Sequence, residues 1–338
     1  MSRPEIDPKS PGPRFNAALG ARAAMGGALM GLANLVPGIS GGTMLVAAGV
    51  YRAFIDAISD LTRLRFNAAS IVLLGVVVGS ALVAIVGLSS VISAGLTEFR
   101  WGMYALFIGL TLGGAPVLVR MVRPFNLAAW TGLAGGALVM VGLVALQSGG
   151  DGAGAGRSGV VMLLLAGAAG ASAMILPGVS GAYLLLLLGQ YRPIIESIRA
   201  FKDALTSGDV QGAADQMGVL IPVGIGVVVG VVVVSNVLRV VLHRFEKATL
   251  GVLLGLLLAA PLGLYPFKAG VAPQVGDLFR GEVVTEETVG EIDPKDWPER
   301  RFTPNAGQIA GAGGLIALGF VATLGVSRLG RGKADQDD

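Results

Sequence analysis

Residues 31–58 read GLANLVPGISGGTMLVAAGVYRAFIDAI, and residues 171–198 read ASAMILPGVSGAYLLLLLGQYRPIIESI. The two stretches align without a gap, 140 positions apart. Pro37, Gly38, Ser40, Gly41, Gly49, Tyr51, Arg52, Ile55 and Ile58 return as Pro177, Gly178, Ser180, Gly181, Gly189, Tyr191, Arg192, Ile195 and Ile198, and Asp56 returns as Glu196. Proline, glycine and serine inside long apolar runs break a helix where no water can satisfy the freed backbone. A single break is a kink. Breaks at matching points of two halves indicate a binding site between repeats, the architecture of a membrane transporter.

Composition agrees. Hydrophobic residues make up 53% of the 338 and charged residues 14%, against about 25% charged in soluble domains. Mean hydropathy is +0.73. The 53 glycines suit helices that pack closely in a bilayer. There are no cysteines, which excludes disulfides, thiolate metal sites and cysteine nucleophiles. The start, MSRPEIDPKSPGPR, lacks the order of a signal peptide and reads as a short cytoplasmic tail. A net charge of +3 is spread over loops with no basic stripe beside aromatics, so nucleic acid is not an expected partner.

Six stretches suffice to cross a bilayer, which takes about 20 apolar residues: 68–93, 101–119, 127–147, 217–239, 249–267 and 306–327. The motif regions, 16–58 and 159–199, each read as two shorter apolar segments interrupted at the Pro-Gly-x-Ser-Gly phrase. Each pair reads as a re-entrant hairpin with its tip near the midplane; two full spans joined at a tight turn are the alternative. Either way each half crosses an odd number of times, so the second is inverted relative to the first. The expected fold is an all-α polytopic membrane protein with two inverted-topology repeats, each a re-entrant helical hairpin plus three transmembrane helices. Its parts are a cytoplasmic tail (1–15), a first membrane repeat (16–147), a glycine-rich linker (148–158), a second membrane repeat (159–327) with an extracytoplasmic loop (268–304), and a second cytoplasmic tail (328–338). Arg63, Arg65, Arg120, Arg123, Arg239, Arg244 and Lys247 fall in short segments on the expected cytoplasmic side, as the positive-inside rule asks. GVVVG at 75–79 and 226–230 adds matched small residues for close helix approach.

In Pro37-Gly38-Ile39-Ser40-Gly41-Gly42-Thr43, proline ends the incoming helix and the glycines permit tight turns. Ser40 or Thr43 can cap the outgoing helix. That leaves a helix N-terminus inside the membrane, a setting that binds anions and phosphate above all. Pro177, Gly178, Ser180 and Gly181 build a mirror-image partner. Arg52 and Arg192 lie 12 residues beyond the serines, about 18 Å along a continuous helix, which places them at opposite interfaces. Asp56 and Glu196 follow each arginine at ion-pair spacing. These four residues either anchor helix ends or capture a headgroup at the two mouths, with the acids as gates or proton carriers. Tyr51 and Tyr191 read as interface anchors. Asn34 precedes only the first motif, its counterpart being Met174.

Enzymatic readings lack parts. The single histidine, His243, reads as solvated among Arg239, Arg244 and Lys247, and no second histidine exists for a metal. Ser40 and Ser180 have no credible base. No cofactor or metal is expected.

At the phrase from Asn34 to Thr43, followed by Gly49-Val50-Tyr51, and at its looser second copy from Pro177 to Gly181 with Gly189-Gln190-Tyr191, the chain resembles the bacterial membrane family of polyprenyl-phosphate transporters of PopT type. The resemblance covers residues 16–327. It implies a flippase that returns undecaprenyl phosphate, the lipid carrier of cell-wall synthesis, from the outer to the inner leaflet of the cytoplasmic membrane. The second copy departs in having Ala182-Tyr183 for Gly42-Thr43. The expected partners are a polyprenyl phosphate lipid, the bilayer, a proton or sodium ion for coupling, and a second copy of the chain. The residues by themselves leave open a secondary transporter of a small soluble anion.

Overall fold

The computed structural model describes residues 16–35, 40–148, 159–279, 282–286, 290, 297 and 299–329. Pro37 and Gly38, and the expected tail and linker residues 1–15, 149–158 and 330–338, lie outside the described residues. The described chain is mainly helical. The first half holds α1 (Ala17–Asn34), α2 (Gly41–Ala47), α3 (Tyr51–Thr62), α4 (Ala68–Glu98), α5 (Arg100–Leu112), α6 (Ala115–Val122) and α7 (Leu127–Ser148). The second holds α8 (Val160–Ile175), α9 (Gly181–Leu187), α10 (Tyr191–Ser207), α11 (Val210–Arg244), α12 (Glu246–Ala259) and α13 (Ala306–Leu329).

Among the described residues, five helical stretches are long and apolar enough to cross a membrane: Ala68–Glu98, Arg100–Val122, Leu127–Leu146, Val210–Arg244 and Ala306–Val326. This makes the chain a multi-pass membrane protein. The span expected at 249–267 is shorter than the sequence suggests. Helix α12 has 14 residues and gives way to a 3-10 turn at Ala260–Leu262, because Pro261 cannot continue an α-helix. At 1.5 Å per residue α12 is about 21 Å long.

The repeat is visible in the backbone. Ser40 and Ser180 precede α2 and α9 with φ/ψ of −99/125° and −91/128°. Gly49 and Gly189 both have φ of +68°, a conformation that favours glycine. Each ends a seven-residue helix and turns the chain into the next. The motif regions are therefore three helices each, not the two expected, since Gly-x-Tyr is itself a second break. Further on, Phe99 joins α4 to α5 at −135/44° and Phe245 joins α11 to α12 at −128/48°. Asn67 caps α4 by accepting from the Ala69 N–H, and Asp209 caps α11 by accepting from that of Gly212, so both long helices begin on a side-chain cap.

Packing interleaves the halves. Helix α1 lies on α4 and α8 on α11, whereas α5 of the first half packs on α13 and α12 of the second packs on α7. Small residues allow these approaches. A Cβ on Gly109 would strike the Ile316 carbonyl, and one on Gly255 that of Leu133. The GVVVG pair behaves differently from expectation. Gly226 and Gly230 meet the α8 backbone, but Gly75 and Gly79 face open space, and the close α1–α4 approach comes from Gly27 and Gly31.

The main apolar core gathers around α2. Met44, Leu45 and Val46 pack with Phe54 and Ile55 of α3, Phe107 and Ile108 of α5, Leu118 of α6, and Leu250, Leu253 and Leu257 of α12. In the loop 268–304, strand β1 (Lys268–Gly270) pairs antiparallel with β4 (Glu299–Arg301), and β2 (Leu278–Phe279) with β3 (Glu282–Val283).

Candidate functional site

The two motif copies meet. Ser40 Oγ donates to the Leu176 carbonyl at 2.7 Å, and Tyr51 Oη donates to the Ile175 carbonyl at 3.0 Å. The Gly178 N–H donates to Thr43 Oγ1 at 2.9 Å. Ser40, Thr43, Tyr51, Pro177, Gly178 and Ser180 are all buried. Buried polar groups must be paired, and here the first copy's hydroxyls pair with the second copy's backbone. Gly42 makes the contact possible: a Cβ there would stand 2.7 Å from the Ile175 carbonyl oxygen. Gly178 has φ of +85° and packs against the backbone at Leu256.

Several expectations change accordingly. Ser40 sits at the N-cap of α2 but makes no side-chain capping bond, because its hydroxyl crosses to Leu176. Tyr51 is 3% exposed and bonds across the joint, so it does not anchor an interface; Tyr191, opening α10, is half-buried. Asn34 ends α1, exposed, with Oδ1 3.2 Å from where a Gly41 Cβ would lie. Gly181 is half-buried, and a Cβ there would lie 3.1 Å from the Gly170 carbonyl oxygen.

Arg52 is not on one helix with Ser40, since the break at Gly49 separates α2 from α3. Its ion pair is with Glu246 at the start of α12, not with Asp56. The Arg52 guanidinium, hydrogen-bonded to Glu246, holds that carboxyl below the usual carboxylate range. Asp56 instead pairs with Arg239 Nε at 3.2 Å and lies 3.5 Å from His243 Nε2. Arg239 Nη1 donates to Asp60 at 2.7 Å. Ser59, fully buried, donates to Asn236 Oδ1 at 2.8 Å, and Asn236 Nδ2 donates to Thr62 Oγ1 at 2.8 Å. A polar latch thus ties α3 of the first half to α11 and α12 of the second. Glu196 lies exposed on α10, and Arg192 is the second residue of that helix.

Residues 22, 60, 236, 239 and 246 carry roles that sequence reading missed. Arg22 donates through Nε to Ala48 O at 2.9 Å and through Nη2 to Gly49 O at 2.5 Å. A cation there satisfies the last carbonyls of α2 and complements its dipole. Its only signal in the sequence is a lone arginine inside an otherwise apolar helix. The latch partners lie more than 170 positions apart, beyond any local spacing rule.

Comparison with known proteins gives this geometry a setting. Residues 30–277 match the family described as VCA0040-like, undecaprenyl phosphate translocase-like. The chain is 27% identical over 254 residues to a polyprenyl-phosphate transporter of Vibrio cholerae serotype O1 (strain ATCC 39315 / El Tor Inaba N16961), covering 72% of this chain and 76% of that one. No solved structure matches.

Proposed function

The chain belongs to the undecaprenyl phosphate translocase-like family, and from that premise we propose that it returns polyprenyl phosphate from the outer to the inner leaflet of the bacterial cytoplasmic membrane. The observation that carries the reading is the joint between the two Pro-Gly-x-Ser-Gly copies. Ser40 O–H, Tyr51 O–H and Gly178 N–H are three donors converging where the halves touch. Each has a neutral acceptor from across the joint. A phosphate offers charged acceptors, and hydrogen bonds to charged groups are about twice as strong. An arriving headgroup can exchange those acceptors for its own oxygens, so that the joint opens around it. Gly41, Gly42 and Gly181 leave room for the phosphate beside the backbone, with Thr43 and Ser180 as further partners, while Pro177 holds the second break open; Pro37 and Gly38 belong to the same phrase by sequence. Helix α9, with Leu186 45% exposed, leaves the prenyl tail a way to stay in lipid.

Inverted repeats with re-entrant segments fit the contacts. Asp60 accepts from Ser70 at the start of α4 and from Arg239 near the end of α11. The start of one long helix and the end of its counterpart thus share one end of the bundle. Lys247 joins them there, donating to Val122 O at 2.6 Å and Arg123 O at 2.8 Å. The basic residues collected at this end favour the cytoplasmic side, which also puts both termini inside. Arg52 and Asp56 then form the inner gate, Arg192 and Glu196 the outer. Rocking of one half on the other would alternate access.

The test is a leaflet-accessibility assay in liposomes holding only this protein. Polyprenyl phosphate added outside should become protected from an impermeant phosphatase, and long-chain phosphates should compete better than short ones. Protection equal to that of protein-free liposomes would refute the proposal. Equal competition by soluble phosphates would favour a small-anion transporter.

A further inference from the structure

A further break interrupts the span Arg100–Val122, outside the two motif copies. Between α5 and α6 the chain reads Thr111-Leu112-Gly113-Gly114-Ala115-Pro116. Pro116 has no N–H, so the Leu112 carbonyl loses the donor that a continuous helix would give it. The Gly114 N–H donates to the Thr111 carbonyl at 3.1 Å and so releases that of Leu110; the Val117 N–H donates to the Gly114 carbonyl at 3.2 Å and so releases that of Gly113. The Leu110 carbonyl is met from α13, where Thr323 Oγ1 donates to it at 3.0 Å. The Leu112 and Gly113 carbonyls lose their helical donors at the C-terminal end of α5, the negative end of its dipole.

Next to them in the chain is a buried hydroxyl. Thr111 is 2% exposed, and its Oγ1 is the one fully shielded side-chain polar atom among the described residues that makes no hydrogen bond. Buried hydroxyls are paired in folded proteins, and one that is not calls for a bound water or ion. Packing does not require a hydroxyl at this point. Twelve residues beyond the Phe99 corner the first half has Thr111; twelve beyond the matching Phe245 corner the second half has Leu257, which is fully buried. The break also adjoins the joint. A Cβ on Gly114 would lie 3.6 Å from Ala47 Cβ and 3.5 Å from Leu257 Cδ1, and a Cβ on Gly178 would lie 3.1 Å from the Leu257 nitrogen.

We propose that the Thr111 hydroxyl and the carbonyls freed at the Leu112–Pro116 break bind a sodium ion, and that this ion is coupled to lipid transport. Oxygen ligands without formal charge repel a phosphate and suit a singly charged cation, whereas divalent ions take carboxylates. Carbonyls of a broken membrane helix are a recognised setting for sodium. Space favours the smaller alkali ion: a Cβ on Gly113 would stand 2.5 Å from Thr323 Cβ. The coupling part rests on the polyprenyl-phosphate reading above. A phosphate dianion carried inward moves against an inside-negative potential, and a cation moving with it offsets that work. The ion would sit one residue, Leu257, away from the joint that the headgroup opens.

The experiment uses the full chain in nanodiscs, with radioactive sodium binding and thermal melting as readouts, and in liposomes for flux. Wild type should bind sodium and melt higher in sodium chloride than in choline chloride, since a ligand of the folded state stabilises it. Thr111→Val keeps the shape and removes the hydroxyl; it should bind sodium about tenfold more weakly and lose the sodium-dependent rise in melting temperature. Thr111→Ser should stay within about threefold of wild type. Pro116→Ala, which returns a donor to the Leu112 carbonyl, should weaken binding severalfold and reads the site even if the valine variant fails to fold. If Thr111→Val binds sodium as wild type does and melts higher in both salts, the hydroxyl was merely unpaired and the site is overturned. Tighter binding of potassium than of sodium would overturn the choice of ion. In liposomes, replacing sodium by choline should lower wild-type flux about tenfold; undiminished flux would overturn the coupling while leaving the site. No flux in either salt, with sodium still bound, would instead refute the transport reading.

Discussion

The two motif copies share a backbone trace but not a setting. Helix α2 of the first is buried at every residue from Gly41 to Ala47 and forms the middle of the main core. Its C-terminus is held by Arg22. Helix α9 of the second is half-buried along most of its length, and its flanks, Val179 and Ile194, belong to two smaller clusters. The position matching Arg22 is Met162, which cannot act as a hydrogen-bond donor. At the joint, the first copy provides the hydroxyls and the second mainly its backbone. The first is the more deeply buried half of the joint, and the second is the more exposed. Likewise α3 leans on both long helices, whereas α10 packs on α11 and α9 of its own half.

The largest expected effect breaks the comparison at its point of contact. Gly42→Val drives a branched side chain into the Ile175 carbonyl and separates the copies, at a cost of about 1–3 kcal/mol. Transport should fall to the level of empty liposomes. The matching position already carries a Cβ, as Ala182, so Ala182→Val should keep much of the flux; equal loss in both would make the copies equivalent.

Thr43→Val comes next. It removes the acceptor of the Gly178 N–H and leaves that donor unpaired in a buried joint, at about 1–3 kcal/mol. Thr43→Ser should restore both thermal stability and flux. If the valine variant melts with wild type, the hydrogen bond across the joint contributes nothing.

Arg22→Met tests the hold on α2 by giving the first copy the second copy's residue. Loss of the charged cap should cost about 1 kcal/mol and raise hydrogen exchange at Ala48–Val50 toward that at Leu188–Gln190. Unchanged exchange would mean that packing alone fixes α2.

The smallest effect is a pH dependence. The Glu246 carboxyl is held below its usual range, so its pairing contributes stability above the usual carboxylate range and loses it as pH falls through the lowered value. Acidification should loosen the α3–α12 contact, and Glu246→Gln should flatten that part of the pH profile. Because both side chains are nearly half exposed, the effect is expected to be under about 1 kcal/mol. A wild-type profile equal to that of the Gln variant would remove the latch from the account.

How much of this was legible depends on range along the chain. The repeat and its breaks could be read because proline, glycine and serine act locally, and five of the six spans needed only apolar length. The break at Gly49 was equally local, yet Gly49-x-Tyr51 reads as part of a motif unless its positive φ is known. Pairings were the hard part. Arg52 had an acid four residues away and took one almost two hundred positions distant, because α12 brings Glu246 to the start of α3. The hydroxyls of Ser40 and Thr43 read as helix caps or anion ligands. Only the meeting of the two copies supplies the acceptors and the donor that claim them.

Passage through the joint requires that it open for the lipid to cross. A chain without cysteines allows a direct measurement: install Ser40→Cys and Leu176→Cys, positions that touch across the joint, and follow leaflet accessibility of polyprenyl phosphate in liposomes. Flux should be present in the reduced protein, stop when the disulfide forms, and return on reduction. Undiminished flux with the disulfide closed would contradict passage through the joint.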